Sequence, residues 1–310
     1  MVLSELLSAP AHDPERVVAE TEKPWQGFMR RFAQRRLAVF GLVLVVLMVS
    51  LAIFAPYLAP HNPTTEFPNG LSAVGAPLPP QWSFKGFFLG TDNLGRDELS
   101  QLLYGARISM QVGVMGTLIT LIIGTIVGIV AGYAGGWLDN VLMRFTDIML
   151  AFPFILFVIL LDSVIPNPSV ATVYSVIGVL GWAGVARIAR SATLSIAKNE
   201  YVTAARSIGG GLPRILLRHV LPNAFSPILV YGTLQIANYI LLESALSFLG
   251  AGVPDPIPSW GKMLNVGFKF FLVDPTLVVW PGIMLVFATL GFNLVGDGLN
   301  DALNPRAIRR

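Results

Sequence analysis

The sequence predicts an all-α integral membrane protein with about six transmembrane helices and both termini in the cytoplasm. Three observations carry this reading. First, 54% of the residues are hydrophobic and 13% charged, with a mean hydropathy of +0.67, whereas soluble domains carry about 25% charged residues. Second, apolar runs recur at lengths that suit a hydrocarbon core about 30 Å thick, which a helix of roughly 20 residues crosses. Third, the charges gather between those runs instead of being spread along them.

Residues 1–24 carry Pro10, Pro14 and Pro24 without an apolar period and are expected to form a disordered cytoplasmic N-terminus. A cleavable signal peptide is not expected, because the charged lead and apolar run are too long and no small-residue cleavage site follows. Residues 25–60 hold a basic lead and the first transmembrane helix, Leu37 to Leu58, ending near Pro56 and Pro60. The lead, Trp25 to Arg36, alternates apolar and basic residues; it suits an anchor at the lipid surface or a contact with a partner subunit. Residues 61–107, rich in Pro and Gly, form the expected extracytoplasmic loop.

A transmembrane core is expected over 108–299, followed by a cytoplasmic C-terminus at 300–310. Its spans are Ile108 to Gly132, Val141 to Ile165 (interrupted by Pro153), Val170 to Ala189, Val220 to Leu249 and Leu277 to Val295. Of the 21 lysines and arginines, 16 flank or separate the runs on one side. On the other side only Lys85, Arg96, Arg107, Lys262 and Lys269 remain. Positive charge concentrates on the cytoplasmic side of short loops, so both termini and the polar segment 190–222 are placed there.

Gly124, Gly128 and Gly132 lie four residues apart on one face of the second span, which suits close approach of another helix, static or sliding. Asp162 and Glu243 lie toward the outer ends of their helices, where water or an ion partner can reach them; they read as structural or gating carboxylates rather than coupling-ion sites. His12, His61 and His219 are too scattered for a metal site. The absence of cysteine excludes disulfides and thiolate ligands. No phosphate-binding G-x-x-x-x-G-K-[ST] loop occurs, so the chain itself is not expected to hydrolyse ATP. The net charge of +3 is weak grounds for nucleic-acid binding, and none is expected.

The most informative segment is Glu200 to Asn223, polar and arginine-rich between apolar runs. Lys198 to Ile208 is expected to be helical, Gly209, Gly210 and Gly211 to stop it, and Pro213 to start a second short helix running into the next span near Pro222. Glu200 and Ala204 share one face, and Tyr201, Ala205 and Ile208 another. Small Ala204 and Ala205 would let such an elbow sink into a groove on a cytosolic partner. An ordinary amphipathic loop has the same local pattern.

The segment resembles the EAA loop of ABC-importer permeases, an E-A-A, three residues, Gly, nine residues, then I-x-L-P. Ala204, Ala205, Gly209, Leu221 and Pro222 match at the family spacing; Thr203 stands at the motif Glu and His219 at its Ile. Glu200, one turn earlier, is placed to substitute in part for the missing carboxylate. Leu89 to Asp97 (LGTDNLGRD), Gly105 to Ser109, Leu246 to Leu264 and Gly296 to Arg306 resemble further segments of the dipeptide/oligopeptide/nickel branch, so the likeness runs from about Arg30 to Arg306.

That resemblance implies a type I ABC importer permease fold and the C-type, second permease subunit of a peptide importer in the prokaryotic inner membrane. It implies a homologous permease as heterodimer partner, two ATPase subunits that bind ATP and magnesium, and an extracytoplasmic solute-binding protein, all assembled in membrane lipid. The chain itself would hold no cofactor. Glu200, Tyr201, Ala204, Ala205, Ile208, Gly209, Leu221 and Pro222 would couple it to the ATPases. Alternative cargoes are nickel chelates or another small solute. A secondary transporter and a non-transporting scaffold are the readings from other classes; the first would need carboxylates along a path or matching broken helices.

Overall fold

The computed structural model describes residues 24–83 and 86–303. Of the segment expected to be disordered, 1–24, all but Pro24 lies outside the described residues, as do residues 304–310 of the expected tail, 300–310. Among the described residues, five helices are long and apolar enough to cross a membrane, and a bent pair makes a sixth candidate.

Helix α1 (Pro24–Gln34) precedes α2 (Arg36–Leu58). Phe32 of α1 is buried with Ala38 and Ala302, Arg31 donates Nε to the Ala302 carbonyl at 3.1 Å, and Arg35 pairs with Asp301 at 3.3 Å. The basic lead therefore folds onto the end of the last helix, α11 (Thr276–Leu303), while Trp25 and Met29 stay exposed. In α2 the buried positions Ala38, Gly41, Leu44, Met48, Ala52 and Ala55 recur every three or four residues, forming one stripe. Gly41 meets α11 so closely that a Cβ there would lie 2.5 Å from Leu294 Cβ. Ala59 ends the helix in an extended conformation, as a residue preceding proline must.

The turn that leads into the next helix is built around Asp92. Its carboxylate accepts from the backbone N–H of Leu94 and of Arg96, each at 2.9 Å, from Arg96 Nε at 2.6 Å and from Gln101 Nε2 at 2.9 Å. Asp97 then caps α3 (Glu98–Ala134), accepting from Ser100 N–H at 2.9 Å. The helix so begins well before Ile108, where the apolar run starts, and the last part of the expected loop 61–107 is helical. Its extra turns are covered by Trp260, which is fully buried and donates Nε1 to the Leu102 carbonyl at 3.1 Å.

The expected third span is not one rod. Helices α4 (Gly136–Ala151) and α5 (Phe154–Val164) meet at 82°. Pro153 removes a backbone N–H, and Phe152 before it is extended, φ −79° and ψ 137°, so the ladder cannot pass through. A capping box of Ser169 and Thr172 starts α6 (Val170–Ile196). Short helices α7 (Glu200–Ser207) and α8 (Leu212–Ile215) follow. A π-helical turn, Leu216–Val220, leads into α9 (Leu221–Phe248), giving a continuous rod. Pro222 has no N–H for the Arg218 carbonyl, and the widened turn accommodates this, with Leu221 N–H bonded to the Leu216 carbonyl.

Helix α10 (Trp260–Lys269) caps the loop end of the bundle. Lys262 Nζ lies 2.7 Å from Asp255 and holds that carboxyl below its ordinary range.

Candidate functional site

The elbow between α6 and α9 is built by a few local rules. Helix α7 stops in a Schellman turn: Gly209 N–H bonds the Arg206 carbonyl and Gly210 N–H the Ala205 carbonyl, both at 3.0 Å, with Gly209 at φ +81°. Glycine takes that left-handed conformation without a Cβ penalty. A Cβ at Gly209 would meet nothing within 4 Å, so this corner stands clear of the bundle. Glu200 sits in the first turn and Arg206 in the last, each at the end where its charge favours the helix dipole.

Two ties hold the elbow to the membrane helices. Val202 is fully buried with Ile129, Val185, Ala189, Ile215, Val220, Ala224 and Ile228. Arg206 lies over Tyr133, at the end of α3, and donates Nε to its hydroxyl at 3.3 Å. Ala205 is half-buried against the same apolar cluster, so it faces the chain's own bundle. Leu221 is half-buried there too, and Pro222 is exposed. The expected face of Tyr201, Ala205 and Ile208 is thus divided: Ile208 is 86% exposed and Tyr201 exposed, while the inward face is Val202 with Ala205.

Glu200, Thr203 and Ala204 are exposed on the free side, and among the described residues Glu200 makes no ion pair. Thr203, at the motif Glu, turns its hydroxyl back toward the Asn199 carbonyl at 3.5 Å. With Leu212 and Leu217 also exposed, the elbow presents apolar side chains around a polar helix. An exposed apolar patch rimmed by polar residues suits an interaction site. Val202 and Ile215, the anchors on the inner side, were not singled out from sequence. Val202 stands in α7 beside Tyr201, Ala204 and Ala205, and Ile215 in α8 beside Leu212, so which of them turns inward needs the third dimension to be read.

Gly124, Gly128 and Gly132 all face α6. A Cβ on Gly124 would lie 2.5 Å from Val185 Cβ, one on Gly128 would run into the Ala186 carbonyl, and one on Gly132 would lie 2.8 Å from the Arg190 carbonyl. Next to this seam Arg190 clasps Asp139 with two hydrogen bonds of 2.5 and 2.6 Å, and Arg187 pairs with Asp147 at 2.6 Å, tying α4 to α6. Glu243 differs from its expected setting. It is fully buried, out of reach of water, and accepts from Ser109 Oγ at 2.8 Å and Ser247 Oγ at 2.7 Å. The neighbouring Trp260–Gly261 segment closes over this region, Gly261 lying against the backbone of Ser244. The side chain of Asp162 lies outside the described residues.

The family model described as binding-protein-dependent transport system inner membrane component matches residues 124–309, and the N-terminal TM domain of oligopeptide transport permease C matches residues 23–80. The oligopeptide transport system permease protein OppC of Bacillus subtilis (strain 168) is 38% identical over 302 residues, covering 97% of this chain and 96% of its own length. The dipeptide transport system permease protein DppC of Alkalihalophilus pseudofirmus is 37% identical, covering 91% and 90%. The glutathione transport system permease protein GsiD of Pectobacterium atrosepticum is 36% identical, covering 91% of each chain. Among solved structures, the fold is similar to that of an inward-facing MetNI methionine ABC transporter chain, with a TM-score of 0.54 and 18% identity over 68% of this chain and 97% of that one.

Proposed function

Because this chain belongs to the family of binding-protein-dependent transport inner-membrane components, we propose that it is the C-type permease subunit of an ATP-driven importer of small peptides. It is a multi-pass protein of the prokaryotic plasma membrane. Members of such importers work with ATPase subunits and a substrate-binding protein. In this reading the permease partner is a homologous chain, two ATPases grip the two elbows, and the binding protein delivers peptide to the loop end. The elbow and both termini face the cytoplasm, where the basic residues gather. ATP and magnesium belong to the ATPases, and this chain catalyses nothing itself.

The observation that carries the mechanism is the continuity of Leu212–Phe248. The second half of the elbow is the start of a membrane-spanning rod, so a displacement there passes into the rod through the π-helical turn Leu216–Val220 with no loop between. The first half, α7, is held to the same body by Val202 and by the Arg206–Tyr133 contact. An ATPase closing on exposed Glu200, Ala204, Ile208 and Gly209 would therefore turn α9 inside the membrane. The peptide cargo is supported by the names of the relatives.

The test is uptake of labelled dipeptide, with labelled nickel in parallel, in cells lacking the gene and in complemented cells. Dipeptide uptake is expected to disappear and return with the gene. Peptide uptake that is unchanged by the deletion would overturn the peptide assignment, and uptake that persists without the ATPases would overturn the ATP-driven one.

A further inference from the structure

A concavity of about 360 Å³ opens between the α4–α5 bend, α6 and α9. Its polar wall comes from α9, where Tyr231, Gln235 and Asn238 follow one another at helical spacing on one face. Gln235 lies near the middle of Leu221–Phe248, and Gly181 and Gly184 near the middle of Val170–Ile196, so the cavity lies at mid-depth in the bundle. Among the described residues, no Asp, Glu, Lys, Arg or His lines it.

The site is built on the protein side. A Cβ on Gly181 would run into the Tyr239 hydroxyl, and one on Gly184 would lie 2.5 Å from that of Tyr231. The two glycines thus make room for two phenols. Tyr239 is tied back to α3 and α6, because its hydroxyl is 2.9 Å from Thr120 Oγ1, which donates to the Gly178 carbonyl at 3.1 Å. On the same helix face, Asn238 donates Nδ2 to Gln235 Oε1 at 2.8 Å. Tyr239 is thus fixed to the packed interior, and Asn238, paired with Gln235, is exposed in the cavity.

Amide groups at this depth are costly to set against lipid tails, which offer no hydrogen bonds, and polar groups there face protein or water-filled space. The volume is in the range of small-ligand pockets. A side-chain amide offers a carbonyl acceptor and two N–H donors, the same groups that a peptide backbone carries. Uncharged partners of this kind exchange hydrogen bonds with any peptide bond, whatever its side chains, and release it again because no ion pair holds it.

We propose that this cavity is the chain's share of the translocation path, in which Gln235 and Asn238 receive the amide groups of the passing peptide. The proposal rests on the peptide-importer reading above.

The chain contains no cysteine, so an introduced one is its only thiol. The experiment uses the complete complex in vesicles, with Gln235→Cys, Asn238→Cys and, as a comparison, Ile122→Cys on the exposed apolar side of α3. A membrane-impermeant charged thiol reagent added from both sides reacts with thiolate in water. Labelling at 235 and 238 is expected to be about tenfold faster than at 122, since a thiol held in apolar surroundings stays protonated. Saturating dipeptide, with binding protein and ATP, is expected to slow it. Gln235→Leu and Asn238→Leu are expected to lower peptide uptake about threefold to tenfold at equal membrane levels, the effect of losing one hydrogen bond, with Asn238→Gln restoring part.

Labelling at 235 and 238 as slow as at 122 would show a dry helix interface and overturn the proposal. Labelling that peptide does not slow, or Leu variants that transport normally, would overturn it too. Wild-type complex that takes up no dipeptide would instead overturn the peptide-importer reading, and the amide assignment with it.

Discussion

Arg206 lies over the ring of Tyr133, its guanidinium carbon 5.0 Å from the ring centroid. The first residue belongs to the elbow and the second to the end of α3, so the contact joins the elbow to a helix other than α9. Arg206 is exposed and Tyr133 half-buried, and a cation over a ring at the surface contributes about 0.5–1 kcal/mol. Arg206→Ala is therefore expected to leave membrane levels unchanged and to weaken the grip of α3 on the elbow. The expected result is peptide uptake that falls several-fold relative to ATP hydrolysis. Unchanged uptake per ATP would show that Val202 alone holds the elbow.

Gly209 separates strain from charge. Any L residue at its φ of +81° costs about 1–2 kcal/mol, less for Asn and Asp. A side chain there points into open space. Gly209→Asp is expected to reach normal membrane levels and lose transport, while Gly209→Asn, similar in size and uncharged, keeps a measurable part. Immunoblotting of membranes beside uptake checks both. Normal uptake by the Asp variant at normal levels would mean that nothing docks at this corner.

Gly128→Ala tests the α3–α6 seam. Its methyl would collide with the Ala186 carbonyl, a backbone atom that cannot rotate away. Lipid supplies no hydrophobic drive for helix pairing, so lost backbone proximity is not compensated. The expected outcome is a large fall in the yield of assembled complex. Gly211→Ala, where a Cβ meets nothing within 4 Å and φ is −67°, is expected to be neutral.

Glu243 serves as a hydrogen-bond hub. Ser109 on α3 and Ser247 on α9 both donate to it, and it is fully buried. Gln can replace it, because a serine hydroxyl reverses direction to accept from an amide. Leu leaves two buried hydroxyls to find other partners, at about 1–3 kcal/mol each where they fail. Glu243→Gln is expected to assemble and transport; Glu243→Leu is expected to lower the thermal stability of the purified complex. Equal stability of the two variants would show that the hub is dispensable.

Much of the elbow was legible in the sequence because its rules are local. The glycine stop after Ser207, the restart at Pro213 and the run into α9 each depend on residues within a turn or two of one another. The inner side was not legible. Val202 and Ala205 turn toward the bundle, while Ile208 turns away, a choice made by where α3 and α6 stand.

By itself, the sequence determined the membrane class, the positions of the long spans, the row of glycines and the corner of the elbow. Hydropathy, proline and glycine act on the backbone near them, and their effect is readable one window at a time. Only the tertiary structure decided that the third span bends by 82°, that the glycines meet α6, that Glu243 is sealed and that a polar stripe of α9 faces a cavity. These rest on partners far apart in the chain, such as Ser109 with Glu243 across 134 residues and Asp139 with Arg190 across 51. Which side chain covers which is set when whole helices pack together, and no local pattern carries that information.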